Sequence, residues 1–410
     1  MAKKILFFPI EVGIAHIARS LAIAEKLLKD GHDIYFALPK RKQSLYTSSP
    51  VKFIDIPGLI EKDSMQMLSY FKDKNRIRKY VEDELKLVKR IKPDIIFIDF
   101  RISALVTVAV SKIPAYFITG SSGVPFGGYI PNVSLPDWLH RLIMPMLNKW
   151  IWKTKKVYID TLVTVAKEYN QQITISDLVD NPTYIIPESS EYLPYVRPNL
   201  KIHYTGPLHW EGFQNKPPEW LPKIHPNGKT IYISFGGTGF DKEKLINLAS
   251  ELVDKGYIVV VSASSIAKVD EFPKKKNLYV AQYLPGLEIS KRVDLVVCHG
   301  GIGTLMHALL AEKPTISIPF NPDQFIHGLR FQELGLGRLV MKVSFTTILK
   351  IVQGKLTSFE ELGKNTKIES ILMNVEQMLE NPKKYKKAIN QWKQILTDEK
   401  KWRMESGGEL

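Results

Sequence analysis

The chain has 410 residues, 44% apolar and 24% charged, a composition that excludes wholesale disorder and a length that exceeds one compact core. Its single cysteine, Cys298, excludes an internal disulfide framework and a thiolate metal cluster, and no apolar run approaches the roughly 18 residues that span a bilayer. The formal net charge of +15 suits a phosphorylated ligand, an anionic lipid surface or nucleic acid, and equally suits a lysine-rich solvated surface.

The first apolar stretch, Ile5 to Ile10, is only six residues and too short for a secretory signal, so a cytoplasmic setting is expected. Lys4 to Pro9 reads as a strand. A helix follows with Ile17, Leu21, Ala24 and Leu28 on one face and Gly31 at its end, then a strand from His32 to Leu38. A long helix with the stripe Ile77, Val81, Leu85 and Val88 closes near Ile91. The strand Asp94 to Ile98, a helix from about Arg101 and the strand Ala115 to Ile118 continue the alternation, which is that of βαβ units in a doubly wound parallel sheet. Residues 138–156 combine three tryptophans with five lysines and arginines. That composition fits a peripheral membrane contact, and it also fits a buried helix whose lysines reach out to solvent.

Pro187, Pro194, Pro198, Pro207, Pro217, Pro218, Pro222 and Pro226 mark a linker, with the domain boundary near Gly206. The alternation then restarts. Thr230 to Phe235 is a strand, Gly236-Gly237-Thr238-Gly239 a turn, a helix runs to about Lys255, and Tyr257 to Ser262 is the next strand. Asp294 to Cys298 reads as a buried strand that passes through His299-Gly300-Gly301-Ile302-Gly303-Thr304 into a helix with Ile302, Leu305 and Leu309 on one face. The strand Thr315 to Pro319 and the group Asn321-Pro322-Asp323-Gln324 follow. The expected fold is α/β: two Rossmann-like domains, residues 1–205 and 206–375, facing across a cleft. Residues 376–410 are expected to pack back on the first domain through Trp392 and Trp402.

Strand, glycine turn and helix together make an anion site. Glycine lets the backbone come close to a phosphate, and the free N–H groups and dipole of the helix start favour negative charge. His299 and the Thr304 hydroxyl add donors, although the same glycines could serve only to shape a tight turn. Asp323 beside Gln324 suits sugar hydroxyls, one side chain accepting and the other both accepting and donating, while an Asp there could also be a helix cap. In the first half His16 opens a helix after the first strand and Asp99 ends another strand. A histidine can take a proton from a hydroxyl when a carboxylate orients its other ring nitrogen. Arg19 could approach a diphosphate or form a surface ion pair, and Glu11 is a second candidate base. No cluster of His, Asp and Glu has metal-ligand spacing, so no metal is expected.

The order His299-Gly300-Gly301-x-Gly303-Thr304, Pro314, Pro319, Asp323-Gln324 and Gly335-Leu336-Gly337 resembles the donor-binding signature of family-one glycosyltransferases of the GT-B fold. Gln282-Tyr283-Leu284-Pro285 and Tyr204-Thr205-Gly206-Pro207-Leu208 are similar to further segments of that family. The resemblance implies that Tyr283 and Leu284 face the nucleobase, that the turn with His299 and the loop Gly236, Gly237, Thr238 hold the diphosphate, and that Asp323 and Gln324 hold the sugar. It points to His16 as base and Asp99 as its helper. One position departs: where many members carry a glutamate for the ribose hydroxyls, this chain has His307, so the choice between uridine and deoxythymidine stays open.

The expected activity is inverting transfer of a hexose from a nucleotide-diphosphate sugar, UDP-sugar favoured and dTDP-sugar the alternative, to a hydroxyl on a lipid or small molecule. The nucleotide sugar is a substrate, and no cofactor is expected. A sugar-nucleotide epimerase of the same fold is the enzymatic alternative. A non-catalytic sugar- or nucleic-acid-binding module is the other, and dispersed basic residues without a recognised motif speak against nucleic acid.

Overall fold

A computed structural model describes residues 2–59, 71–124, 156–193, 200–210, 212, 217–227, 229–237, 240–341, 363 and 365–398. The chain divides into two units. The sequence expectations for Thr238, for residues 138–155 and for Trp402 lie outside the described residues.

In the first unit β1 (Lys4–Pro9), α1 (Ile14–Lys29), β2 (Asp33–Ala37), β3 (Lys52–Ile54), α2 (Lys74–Ile91), β4 (Ile95–Asp99), α3 (Ser103–Ser111), β5 (Ala115–Ile118), β6 (Thr183–Ile186) and β7 (Ile202–Tyr204) form a seven-stranded sheet with its helices. The strand order is β3-β2-β1-β4-β5-β6-β7, and every pairing is parallel. Residues alternate between the two faces because successive side chains of a strand point to opposite sides. Leu6, Phe8, Ile96 and Ile98 meet α2 and α3 in one apolar cluster. Ile5, Phe7, Ile95 and Phe97 meet Ile17, Leu21, Ala24 and Leu27 of α1 in another. On that second face Phe36, Phe7, Phe97 and Tyr116 stack across four adjacent strands at successive centroid distances of 5.6, 4.6 and 4.8 Å. Each buried ring of this kind contributes on the order of 2 kcal/mol by area alone, so β1 and β4 are held in fixed register.

The first unit continues past Gly206. Trp210 is buried in the α1 face of the sheet, its indole N–H donating to Glu25 Oε1 at 2.7 Å and its ring 5.5 Å from that of Tyr46. The proline-rich stretch therefore includes β7, the last strand of the first sheet, and a tryptophan anchor beyond it.

The second unit contains β8 (Thr230–Ser234), α4 (Lys242–Asp254), β9 (Ile258–Ser262), β10 (Leu278–Ala281), α5 (Gly286–Lys291), β11 (Leu295–Cys298), α6 (Ile302–Leu310), β12 (Thr315–Ser317), α7 (Pro322–Glu333), β13 (Gly337–Leu339), α8 (Ile368–Glu380) and α9 (Lys383–Asp398). Its parallel sheet has the order β10-β9-β8-β11-β12-β13. Helix α9 is grouped with the second unit and packs on it. It buries Tyr385, Ile389 and Leu396, Arg338 donates to the Tyr385 hydroxyl, Lys393 pairs with Glu312 at 2.7 Å, and Arg330 of α7 lies over the Trp392 ring. Those partners all belong to the second unit, whose surface supplies the apolar seat and the charges that α9 needs. Among the described residues no helix is long and apolar enough to cross a membrane.

Candidate active site

In both sheets the order in which strands are added reverses at one internal point, between β1 and β4 in the first and between β8 and β11 in the second. At such a point the loops leaving two neighbouring strands turn to opposite faces, so a crevice opens at the strand ends. His16 and Asp99 lie at the first of these points, and Gly236, Gly237, His299, Gly300 and Gly301 at the second.

In the first unit Pro9 pairs with Asp99 across β1 and β4, and the Ile10 N–H donates to the Asp99 carbonyl at 2.8 Å. This register carries α1 past the end of β4. His16 Nδ1 lies 2.7 Å from Asp99 Oδ1. Arg19, one turn on, donates through Nε to Oδ2 at 2.6 Å and through Nη2 to Oδ1 at 2.5 Å, and the Ser20 hydroxyl donates to Oδ2 at 3.1 Å. Burial alone would raise the Asp99 pKa, but the charges of Arg19 and His16 and their hydrogen bonds outweigh it and hold the carboxyl below its ordinary value. Asp99 is therefore ionised and can only accept. The 2.7 Å contact then needs the imidazole proton on Nδ1, which leaves the Nε2 lone pair for other work. The His16 side chain is 27% exposed, whereas Asp99 is sealed, so a substrate can reach the ring and water does not reach the carboxylate. Phe100, in the left-handed region at φ 54°, packs its ring 5.5 Å from the imidazole.

The sequence reading identified His16 and Asp99 but not the grip of Arg19 and Ser20 on the same carboxylate. The signal was available. Residues three and four beyond His16 on a helix share its face, so a polar pair there had to meet whatever His16 meets. A second buried carboxylate, Glu84, accepts from Arg101 Nε at 2.6 Å, Ser103 at 2.6 Å and Thr107 at 2.7 Å, and ties α2 to the segment after β4. Glu11 is buried at the end of β1.

In the second unit Ser234 pairs with Cys298, so the turns after β8 and β11 leave side by side. A Cβ at Gly236 would lie 3.1 Å from the His299 ring, and one at Gly301 only 2.4 Å from its Nε2, so both turns close around that imidazole. His299 Nδ1 lies 3.4 Å from the Ser234 carbonyl. Burial pushes the His299 pKa down, the Ser234 carbonyl and the Asp323 charge opposing this in part. His299 is therefore neutral at pH 7. Gly300 has φ 83°, and a Cβ there would sit 2.6 Å from the backbone oxygen of Gln324, so this position admits only glycine. Helix α6 starts at Gly301 with no side-chain cap, whereas Asp241 caps α4 and Asn321 caps α7. Its first N–H groups, including those of Gly303 and Thr304, stand without that partner and carry the positive end of the dipole.

Gly303 differs from its neighbours. A Cβ there meets nothing within 4 Å and its backbone needs no special conformation, so the protein itself does not require glycine. Gly303→Ala is expected to leave stability unchanged or to raise it by up to about 1 kcal/mol, while nucleoside diphosphate affinity falls. Denaturation and calorimetry on the same preparation check both.

Tyr283 and Leu284 lie on the link between β10 and α5, Tyr283 half-buried and Leu284 buried. His307 of α6 reaches the same link, since a Cβ at Gly286 would fall 2.4 Å from its Nδ1. Asp323 has a 56% exposed side chain and can meet a ligand. Gln324 is turned inward, its side-chain oxygen accepting from the Phe320 N–H at 2.8 Å, so it braces the turn before α7. Cys298 is sealed in β11 with its thiol pushed up to about 12 by burial, and is inert. Among the described residues no group of three or more His, Cys, Asp or Glu could hold a metal ion.

Residues 231–394 match the glycosyltransferase family 28 C-terminal domain. A rhamnosyltransferase of PGL/p-HBAD biosynthesis from Mycobacterium bovis is 26% identical over 370 residues, 82% of this chain and 77% of the relative. Two solved structures share the fold at a TM-score of 0.66: the spinosyn rhamnosyltransferase SpnG complexed with spinosyn aglycone, at 14% identity with 96% of each chain covered, and the glycosyltransferase VinC in complex with DTDP, at 15% identity with 97% and 96% covered. The chain is a glycosyltransferase of the GT-B fold whose residues 231–394 match the family 28 C-terminal domain.

Proposed function

We propose that this glycosyltransferase is inverting and moves a hexose from a nucleoside-diphosphate sugar to an acceptor hydroxyl in one displacement. His16 Nε2 takes the hydroxyl proton, the oxygen attacks the anomeric carbon, and the bond to the diphosphate oxygen breaks with its electron pair leaving on the phosphate. Asp99 fixes the ring tautomer and stabilises the imidazolium. The developing charge on the diphosphate falls on the N–H groups of the turn from Gly301 to Thr304 and on the Gly236-Gly237 loop, without a metal. His299, neutral in the free protein, becomes a donor to phosphate on taking up a proton that the diphosphate charge favours. The observation that carries this reading is the Nδ1 contact of His16 with a buried, ionised Asp99, which leaves Nε2 as the acceptor.

The motif resemblance favours uridine in the donor. Deoxythymidine is the alternative, because His307 in place of a two-point carboxylate suits a sugar with one hydroxyl fewer and a structural neighbour binds DTDP. The mycobacterial relative's name makes a deoxyhexose a candidate for the transferred sugar. The acceptor is a lipid or a small molecule, with a peripheral membrane setting for the former. The test is product stereochemistry. Proton coupling constants at the anomeric carbon, read on glycosides made from phenolic and lipid alcohols with UDP- and dTDP-sugars, should show the configuration opposite to the donor's. Retention would contradict the single displacement, and epimerised donor without glycoside would favour the epimerase.

A further inference from the structure

A base that must be free of its proton near neutral pH is poorly served by a buried carboxylate alone, because an unopposed anion favours the imidazolium. Arg19 counters that. Its guanidinium donates to both oxygens of Asp99, and its Nη2 lies 3.0 Å from His16 Nδ1. With the Arg19 side chain 12% exposed and Asp99 sealed, water and salt screen these charges little. We infer that Arg19 is a positioning residue for His16, sharing Asp99 with it and fixing a positive charge beside the imidazole that opposes the carboxylate's pull on the ring's proton.

This rests on the reading of His16 as base. Asp99 comes to the imidazole from β4 and Arg19 from α1, while Phe100 lends only its aromatic ring. The other charged side chain of the loop before α1, Glu11, has Gly58 and Arg41 beside it. Arg19 thus sets its own positive charge against that of Asp99 at the imidazole, the two acting on the ring with opposite sign.

The experiment is a nuclear magnetic resonance titration of histidine-labelled protein, the His16 resonance being the one that disappears in His16→Gln. In Arg19→Gln the His16 pKa is expected to rise by about one to three units, the size of a unit charge removed at this distance in partly screened surroundings. The acid limb of the transfer rate should move up with it. Arg19→Lys keeps the charge and should leave the pKa within about half a unit of wild type. Asp99→Asn, which removes the anion beside the imidazole and keeps the Arg19 charge, should bring it below the ordinary value of about 6.5. An unmoved or lowered pKa in Arg19→Gln, or a rise in Arg19→Lys as large as in Arg19→Gln, overturns the role of Arg19. Should Arg19→Gln fail to fold, a His16 pKa at or above the ordinary value in Asp99→Asn overturns it instead. Transfer surviving intact in His16→Gln would remove the base reading and leave the titration result standing, so the two failures are distinct.

Discussion

His16→Ala is expected to lower the transfer rate by on the order of 10² to 10⁴ with little change in donor affinity, because it removes proton acceptance and nothing that binds the nucleotide. The side chain is partly exposed and, among the described residues, makes its polar contacts with Asp99 and Arg19, so the fold should tolerate its loss. Asp99→Asn should lower the rate comparably, through the lost tautomer control, and should also destabilise. The buried carboxylate gathers Arg19, His16 and Ser20, and removing its charge breaks its ion pair with the nearly buried Arg19 guanidinium, at a cost of about 3 to 5 kcal/mol. The pH dependence separates the two effects. Asp99 has a folded pKa below its unfolded value, so its contribution to stability is complete above about pH 4 and is lost as pH falls through the folded pKa. The gap in stability between wild type and Asp99→Asn should therefore be full at neutral pH and close in acid. Steady-state kinetics and urea denaturation at a series of pH values measure both.

Gly300→Ala is the second large effect. A residue with a side chain at φ 83° costs about 1 to 2 kcal/mol, and the added carbon would stand 2.6 Å from the carbonyl oxygen of Gln324, which belongs to α7 and cannot move alone. The turn must shift, and a total loss near 3 kcal/mol is expected. The same shift moves the first N–H groups of α6, so nucleoside diphosphate affinity should fall at least tenfold. Calorimetric titration and denaturation of Gly300→Ala beside Gly303→Ala give opposite stability results and the same direction in binding. A purely structural glycine turn would lose stability in the first variant and keep its ligand affinity in the second.

The parallel strands of both units were legible because buried strands leave short runs of β-branched and aromatic residues, as in Ile95 to Ile98 and Leu295 to Cys298. The edge strands were not. Lys52–Ile54, Ile202–Tyr204 and Leu278–Ala281 are short and only half-buried, so they lack the apolar run that announces a central strand, and the second also sits among prolines. The meeting of His16 with Asp99 was legible from a general property of parallel sheets, whose C-terminal strand ends share one edge. The grip of Arg19 depends on its rotamer and on the register of β1 with β4, which a sequence does not display. The structural part played by Gln324 was not legible for a related reason: that the Phe320 N–H before α7 would take its side-chain oxygen as acceptor is a matter of the turn's geometry. The C-terminal helix had an apolar stripe with no sign of which unit would cover it, and Glu312, Arg330 and Arg338 decided that.

The most direct measurement is the thermal midpoint of the wild type and of Gly300→Ala with uridine, deoxythymidine and guanosine diphosphates and their sugars, each protein compared with its own ligand-free midpoint. A ligand at a hundred times its Kd stabilises the native state by about 2.7 kcal/mol, which is several degrees. The account predicts a shift with uridine or deoxythymidine diphosphate in the wild type and a much smaller one in the variant. No shift with any nucleoside diphosphate, or an equal shift in both proteins, would contradict a donor site on the glycine turn.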